Sequence, residues 1–390
     1  MEISLTEQIL LYLLNCAVNE RIPENLSEDV DYEELYRLSR FHSVSSMVSY
    51  ALDKGGYLTE QFMLKEMIQK WASARINAIR KNLMFDAERK QIFQYMEEQG
   101  IWYMPLKGVI LKEMYPDVGM REMCDNDILF DRKYRKQLRD YMIGRGYEAK
   151  LFQTYIVDMY LKKPFYNFEF HVKLFEESCK DNWSRYYSEI EERLCKNENT
   201  EYGYYLKNED FYIYVTAHAY KHYREGGTGI RSFVDTYVYL KDKEDILDWD
   251  YIEQETAKIG IDNFEKDVRL LTKSLFMPTR NIGDFCSTDE KETAMISYVL
   301  HAGTYGTQEN KVKNELKDAQ TDTENYNLKA KLKYCLKRIY PGMEHIKKYH
   351  PFLYKHQCLI PFFWIYRLIE RPLRNRKRLM QELKTLINLK

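Results

Sequence analysis

The segment LKGVILKEMYPDVGMREMCDNDILF, residues 106–130, sets a Lys-Gly turn, an arginine and two aspartates one residue apart into an otherwise apolar stretch. With residues 123–130 (MCDNDILF) as a strand, Asp125 and Asp127 project from one face, their β-carbons about 7 Å apart or less. Carboxylates that close repel. The repulsion is relieved by protonating one, by a basic partner or by a divalent cation, and a hard ion such as Mg²⁺ suits carboxylates best. Downstream, FYNFEFHVKLF (165–175) alternates Phe168, Phe170, Val172 and Leu174 with Glu169, His171 and Lys173, the period of a strand. Glu169 there offers a third oxygen ligand, and three carboxylates on one platform suit two metal ions about 4 Å apart for phosphoryl or nucleotidyl transfer. An Asp-x-Asp pair alone is a weak signal, usually a turn or an exposed strand end; Lys107, Gly108, Arg121 and the Glu-x-His strand give it weight.

Other polar residues are more ambiguous. His171 shares the face of Glu169, where an imidazole orients that carboxylate, touches substrate or simply packs. His218 and His222 have the four-residue spacing of a metal pair on a helix, yet no HExxH pattern surrounds them. With Lys221, Arg231 and Asp235 they either line a second wall of the cleft or form a polar network between helices.

The elements that must position these groups follow from periodicity. Residues 1–97 carry helical stripes, such as Leu35, Leu38, Phe41, Val44, Met47 and Val48, and the first twenty residues read as an amphipathic helix. IWYMP (101–105) follows Gly100 as a strand, 106–115 is a short helix, and 123–130 is the second strand. A helix follows through DRKYRKQLRDYMIGRGY, then strands at 147–153 and 165–175. The expectation is α+β: a small mixed-sheet core over 98–205, between an N-terminal helical lobe (1–97) and a C-terminal helical region (206–390). The polar stretch 307–326 is a solvated helix face or a connection, and the basic tail RLIERPLRNRKR is read as a solvated face rather than a nucleic-acid or membrane contact.

Composition narrows the partners. Fifty-nine Lys+Arg against 60 Asp+Glu leave a formal net charge of −1. No global basic field marks a dedicated nucleic-acid site, so any phosphate site is local. No uninterrupted apolar run reaches the roughly 18 residues of a membrane span. Seven scattered cysteines without a CxxC pair fit a reducing cytoplasm, and neither a disulfide framework nor a zinc knuckle.

The 106–130 segment resembles the signature of the uncharacterised nucleotidyltransferase family, a branch of the polymerase-β-like nucleotidyltransferase superfamily. FEFHVKLF is similar to that family's Glu-x-His strand, TAHAYKHYREGGTGIRSFVDTYVYL to its helical His-x-x-x-His, Arg and Asp segment, and LSRFHSVSSMVSYAL to its N-terminal helices. Two positions depart from the pattern: Asn126 stands where an apolar residue is usual, and Lys107-Gly108-Val109 replaces the superfamily's Gly-Ser turn, as is normal for this branch. The resemblance implies an enzyme in which Asp125, Asp127 and Glu169 hold two Mg²⁺ ions and Glu169 helps deprotonate an acceptor hydroxyl. It also implies a nucleoside triphosphate (NTP) whose phosphates lie against the backbone at Gly108 and the helix that follows, with Lys107 and Arg121 neutralising phosphate charge and His171, His218 and His222 in the cleft. Attack on the α-phosphorus expels pyrophosphate. The acceptor is an unknown small molecule or a protein side chain, and the rival expectation is a binding module that kept the fold and lost turnover.

Overall fold

The computed structural model describes residues 3–27, 30–152, 156–176, 182–285, 290–317, 328–374 and 376–389. Four helices come first: α1 (Leu5–Val18), α2 (Tyr32–Phe41), α3 (Ser45–Lys54) and α4 (Lys65–Glu98). A Ser4–Glu7 capping box starts α1. This helix differs from the amphipathic expectation, because all ten residues from Ile9 to Val18 are buried. Within that run the Asn15 side chain donates to the carbonyls of Leu275 (3.0 Å) and Met277 (2.9 Å), which removes the cost of burying it. Helix α4 keeps a single buried stripe through Trp71, Ala78, Phe85, Ile92 and Met96. At 34 residues it is about 50 Å long and reaches from the helical lobe across the sheet.

The sheet is built from β1 (Tyr103–Pro105), β2 (Asn126–Phe130), β3 (Glu148–Leu151), β4 (Val157–Lys162) and β5 (Tyr166–His171), in the order β1-β2-β5-β4-β3. Only β2 and β5 are parallel. Short α5 (Gly108–Leu111) and a 3-10 turn follow β1, and α6 (Arg135–Gly144) connects β2 to β3. After α7 (Trp183–Tyr186), β6 (Leu194–Lys196) and β7 (Tyr204–Leu206) form a separate two-stranded ribbon. Helices α8 (Asn208–Glu225), α9 (Ile230–Lys243), α10 (Trp249–Ile259), α11 (Asp262–Leu275) and α12 (Glu290–Ala302) come next. The class is α+β.

Both faces of the central strands are covered. Ile128, Phe130, Tyr160, Phe168 and Phe170 pack with Phe85, Ile92 and Met96 of α4 and Leu138 and Met142 of α6. On the other face Met104 and Leu129 join Tyr214 and Ala217 of α8 and Tyr239 and Leu240 of α9. Strand β4 escaped the periodicity reading because its inward face includes a charge: Asp158 is fully buried, and Arg135 satisfies it through two nitrogens. The ladder of β2 begins at Asn126, so Asp125 precedes the strand rather than lying on it.

The chain divides into two compact units, residues 1–220 with 230–300, and residues 221–229 with 301–390. The second holds α13 (Gln308–Lys317), α14 (Leu328–Ile339), α15 (Met343–Tyr349), α16 (Pro351–Lys355), α17 (Ile360–Arg374) and α18 (Arg376–Asn388), and Val312, Leu316, Ala330, Tyr334 and Leu386 form a core between α13, α14 and α18. The polar stretch is thus helical to Lys317, and 318–326 lies outside the described residues. The basic tail falls on α17 and α18, where Arg376, Lys377 and Arg378 are exposed. No described helix is long and apolar enough to cross a membrane.

Phe168 is fully buried among Phe85, Tyr147 and Phe170. Its replacement by Ala is expected to lower unfolding free energy by about 3–5 kcal/mol, read from urea denaturation; a loss below about 1 kcal/mol contradicts the packing described.

Candidate active site

The site grows from one register. In the parallel pair, Asp127 sits opposite Glu169, and His171 lies two residues further along β5 on the same face. Neighbours Ile128, Phe168 and Phe170 turn the other way, into the core. Ligand atoms of Asp127, Glu169 and His171 lie within 4.8 Å of one another, the one such His/Cys/Asp/Glu group among the described residues. The expected carboxylate pair is thus reorganised: His171 joins Asp127 and Glu169, and half-buried Asp125 stands just ahead of the strand.

Lys107 closes the group from the turn after β1. Its backbone holds φ +45°, in a region an L residue rarely occupies, and its Nζ reaches to 3.3 Å from Asp127 Oδ2. On the other side His171 Nε2 lies 2.7 Å from Asp127 Oδ1. Burial alone would raise the Asp127 pKa, but the Lys107 charge and the His171 hydrogen bond hold it well below the usual carboxylate range. Burial lowers the His171 pKa more than Asp127 raises it, so the imidazole is neutral and Nε2–H donates to the aspartate. Nδ1 then carries the lone pair, and that atom is buried with no hydrogen-bond partner among the described residues. For Lys107, burial pulls the pKa down, yet Asp127, with Tyr214 and Asp125 beyond it, keeps the ammonium charged.

Glu169 has a different environment. Burial, then the charges of Asp127 and Asp125, push it up to about 7, while Asn167 Nδ2 donates weakly to it at 3.3 Å. Asp125 is likewise raised by burial and by Asp127, with Lys107 and Arg231 opposing. One carboxylate therefore stays ionised while a neighbour is poised to take or give a proton near neutrality, the separation of roles that acid-base chemistry needs.

Arg121 is not directed at the carboxylates. It is buried, with Nε and Nη2 donating to Asp235 of α9 at 2.7 and 2.9 Å, and Tyr115 donates its hydroxyl to the same carboxylate at 2.7 Å. Its third nitrogen fills the space beside Gly108: a Cβ built there would sit 2.2 Å from Nη1. Gly108 is thus required by the guanidinium packed against it. The four-residue α5 lends little helix dipole, which leaves the Lys107 ammonium as the positive charge that this turn brings to Asp127. Arg231, also on α9, donates to the Glu122 carbonyl at 3.1 Å and approaches Cys124 Sγ at 3.7 Å, so Arg231 and Asp235 together fasten the segment that delivers Asp125.

Asn126 finds its explanation here. Fully buried, it accepts from Arg89 Nη1 of α4 at 2.8 Å, and Arg89 in turn pairs with Asp86. His218 lies one turn after Tyr214 on α8, with ring centres 6.4 Å apart; His222 and Lys221 belong to the second unit. Sequence reading missed Tyr115, Tyr214 and Arg89 as supports of the site, because partners such as Tyr115 and Asp235, 120 residues apart, leave no local signal.

Gly108→Ala is expected to destabilise the protein by about 1–3 kcal/mol, because Arg121 is pinned by Asp235 and has no room to retreat. Gly144→Ala, with nothing within 4 Å of the new Cβ, is the control and is neutral or stabilising in the same denaturant titration.

Comparison with known proteins places the chain. No curated protein and no solved structure matches it. A family profile does match, over residues 28–277, the stretch that holds α2 to α11 and every residue of the cluster around Asp127. On that match, the chain belongs to the family described as uncharacterised nucleotidyltransferase.

Proposed function

We propose that the protein transfers a nucleoside monophosphate from an NTP to an acceptor hydroxyl and releases pyrophosphate. The observation that carries this reading is the grouping of Asp127, Glu169 and His171 within 4.8 Å beside the Lys107 ammonium. The family match supports the reaction class.

The donor set fits a divalent cation. Asp127 is held ionised, Glu169 ionises within the physiological range, and the buried Nδ1 of His171 has no protein partner among the described residues. Asp125, Asp127 and Glu169 would hold two Mg²⁺ ions, with His171 as orienting or additional ligand, and the ions would supply electrophilic activation of the phosphate and stabilise charge on the leaving pyrophosphate. The remaining chemistry belongs to the chain. The acceptor oxygen forms a bond to the α-phosphorus as the bond from that phosphorus to the bridging oxygen breaks. Glu169 takes the hydroxyl proton. Lys107 opposes the negative charge gathering on the phosphates. Arg121 acts at one remove by fixing the turn that carries Lys107. The setting is cytoplasmic in this reading.

Magnesium-dependent binding of non-hydrolysable NTP analogues, followed calorimetrically, tests the assignment. Asp127→Asn is expected to abolish that binding while the circular dichroism spectrum stays that of the wild type; unchanged binding rejects the site. Glu169→Gln is expected to slow turnover by about 10²–10⁴-fold with nucleotide binding retained.

Proton linkage gives a further check. Below about 7 Glu169 carries a proton that an incoming cation must displace, so Mg²⁺ affinity rises as pH increases from 6 and levels off above about 7. Titrations at pH 6 and 8 should differ by up to about tenfold, and Glu169→Gln should remove the difference.

A further inference from the structure

A cleft of about 620 Å³ opens between α2, α4 and residues 122–124, the segment that leads into Asp125. Its volume is that of a small-molecule site, too small for a folded partner. Three cations line it: Arg40 from α2, and Lys70 and Lys81 from α4. Arg40 has no carboxylate partner among the described residues, Lys70 meets Glu33 only at 4.0 Å, and Lys81 rests over the rings of Phe85 and Phe165. Two acids share the lining, Glu66 and Glu122, but Glu122 is already committed. Its Oε1 accepts from Ser45 Oγ at 2.7 Å and from the Ser46 amide at 2.9 Å, in the first turn of α3. The uncommitted charge of the cleft is therefore positive, and Asn77 and Ser73 add neutral hydrogen-bonding groups.

Two facts relate the cleft to the chemistry. Its wall ends at Cys124, the residue before Asp125, so one end of the cleft adjoins the segment that carries the first carboxylate. Yet the charges that act most strongly on Asp125 are Asp127, Lys107, Arg231 and Arg121, and none of the cleft's cations. The cleft's cations form a second set, apart from those that act on Asp125. A set of that kind suits an anionic handle remote from a reacting hydroxyl, where binding energy positions the nucleophile.

We propose that this cleft is the acceptor subsite, and that the acceptor is a small hydroxyl compound bearing a phosphate or carboxylate held by Arg40 and Lys70. The inference rests on the nucleotidyl-transfer reading for its role, while the binding itself is measured separately.

The test titrates three probes, glycerol 3-phosphate, lactate and inorganic phosphate, into the wild type, into Arg40→Ala/Lys70→Ala and into Asp127→Asn. Each titration is done with and without a saturating non-hydrolysable NTP analogue and Mg²⁺. The expected result is binding of at least one hydroxyl-bearing probe that weakens tenfold or more in the double variant, while that variant binds the NTP analogue as the wild type does. Asp127→Asn should show the reverse pattern. Preference for glycerol 3-phosphate or for lactate tells a phosphate handle from a carboxylate one. Failure of every probe to bind wild type, or equal binding to the double variant, overturns the proposal. Loss of NTP-analogue binding in the double variant also overturns it, because the cleft then houses the nucleotide. If no NTP analogue binds wild type but a probe binds through Arg40 and Lys70, the transfer reading falls and the anion site stands.

Discussion

An ionised carboxylate buried in the middle of a sheet is the constraint around which this fold is arranged. Asp127 is only 6% exposed, and an unpaired charge there would cost several kcal/mol. Lys107 meets one of its oxygens and His171 the other, while the main chain of the same residue accepts from the Leu106 amide at 3.0 Å. The parallel register of β2 and β5 is what brings His171 and Glu169 to this carboxylate, and the turn after β1 is what brings Lys107. Removing any one element leaves a charge without an answer.

A second buried pair holds the first in place. Arg121 and Asp235 join the segment before β2 to α9, and Tyr115 completes the carboxylate's partners. Because the guanidinium also fills the space beside Gly108, the turn, the strand and the helix are one mechanical unit on the site side. On the opposite side Arg89 ties Asn126 to α4. Polar residues in these positions look like exceptions to a hydrophobic core, and each is instead a fastening between elements distant in sequence.

Much of this was legible from residues alone, for physical reasons. Strict alternation through Phe168, Glu169, Phe170 and His171 specifies both the strand and which side chains share a face. The α+β class followed from strands interrupting helical periods, and the family resemblance from the quoted motifs agrees with the profile match. Hidden features were those made by long-range charge pairing. Strand β4 carries Asp158 on its inward face, and Arg135 makes that burial tolerable. The partner of Arg121 was hidden for the same reason, since a phosphate and Asp235 are equally good partners for a guanidinium until the fold brings one of them close. Asp125 was placed on β2 because period two does not say where a ladder's first hydrogen bond falls.

Lys107 carries a broader lesson. At φ +45° it occupies a conformation that glycine adopts freely and a lysine adopts only under compulsion, at a cost of about 1–3 kcal/mol. Glycine there would relieve the backbone strain but leave the buried Asp127 carboxylate without its cation. The long cationic side chain at the strained position sets an ammonium 3.3 Å from Asp127, so the backbone strain is offset by the charge pair it makes possible. The strained turn and the ion pair therefore stand or fall together: a residue at 107 that relaxes the backbone also gives up the partner of Asp127.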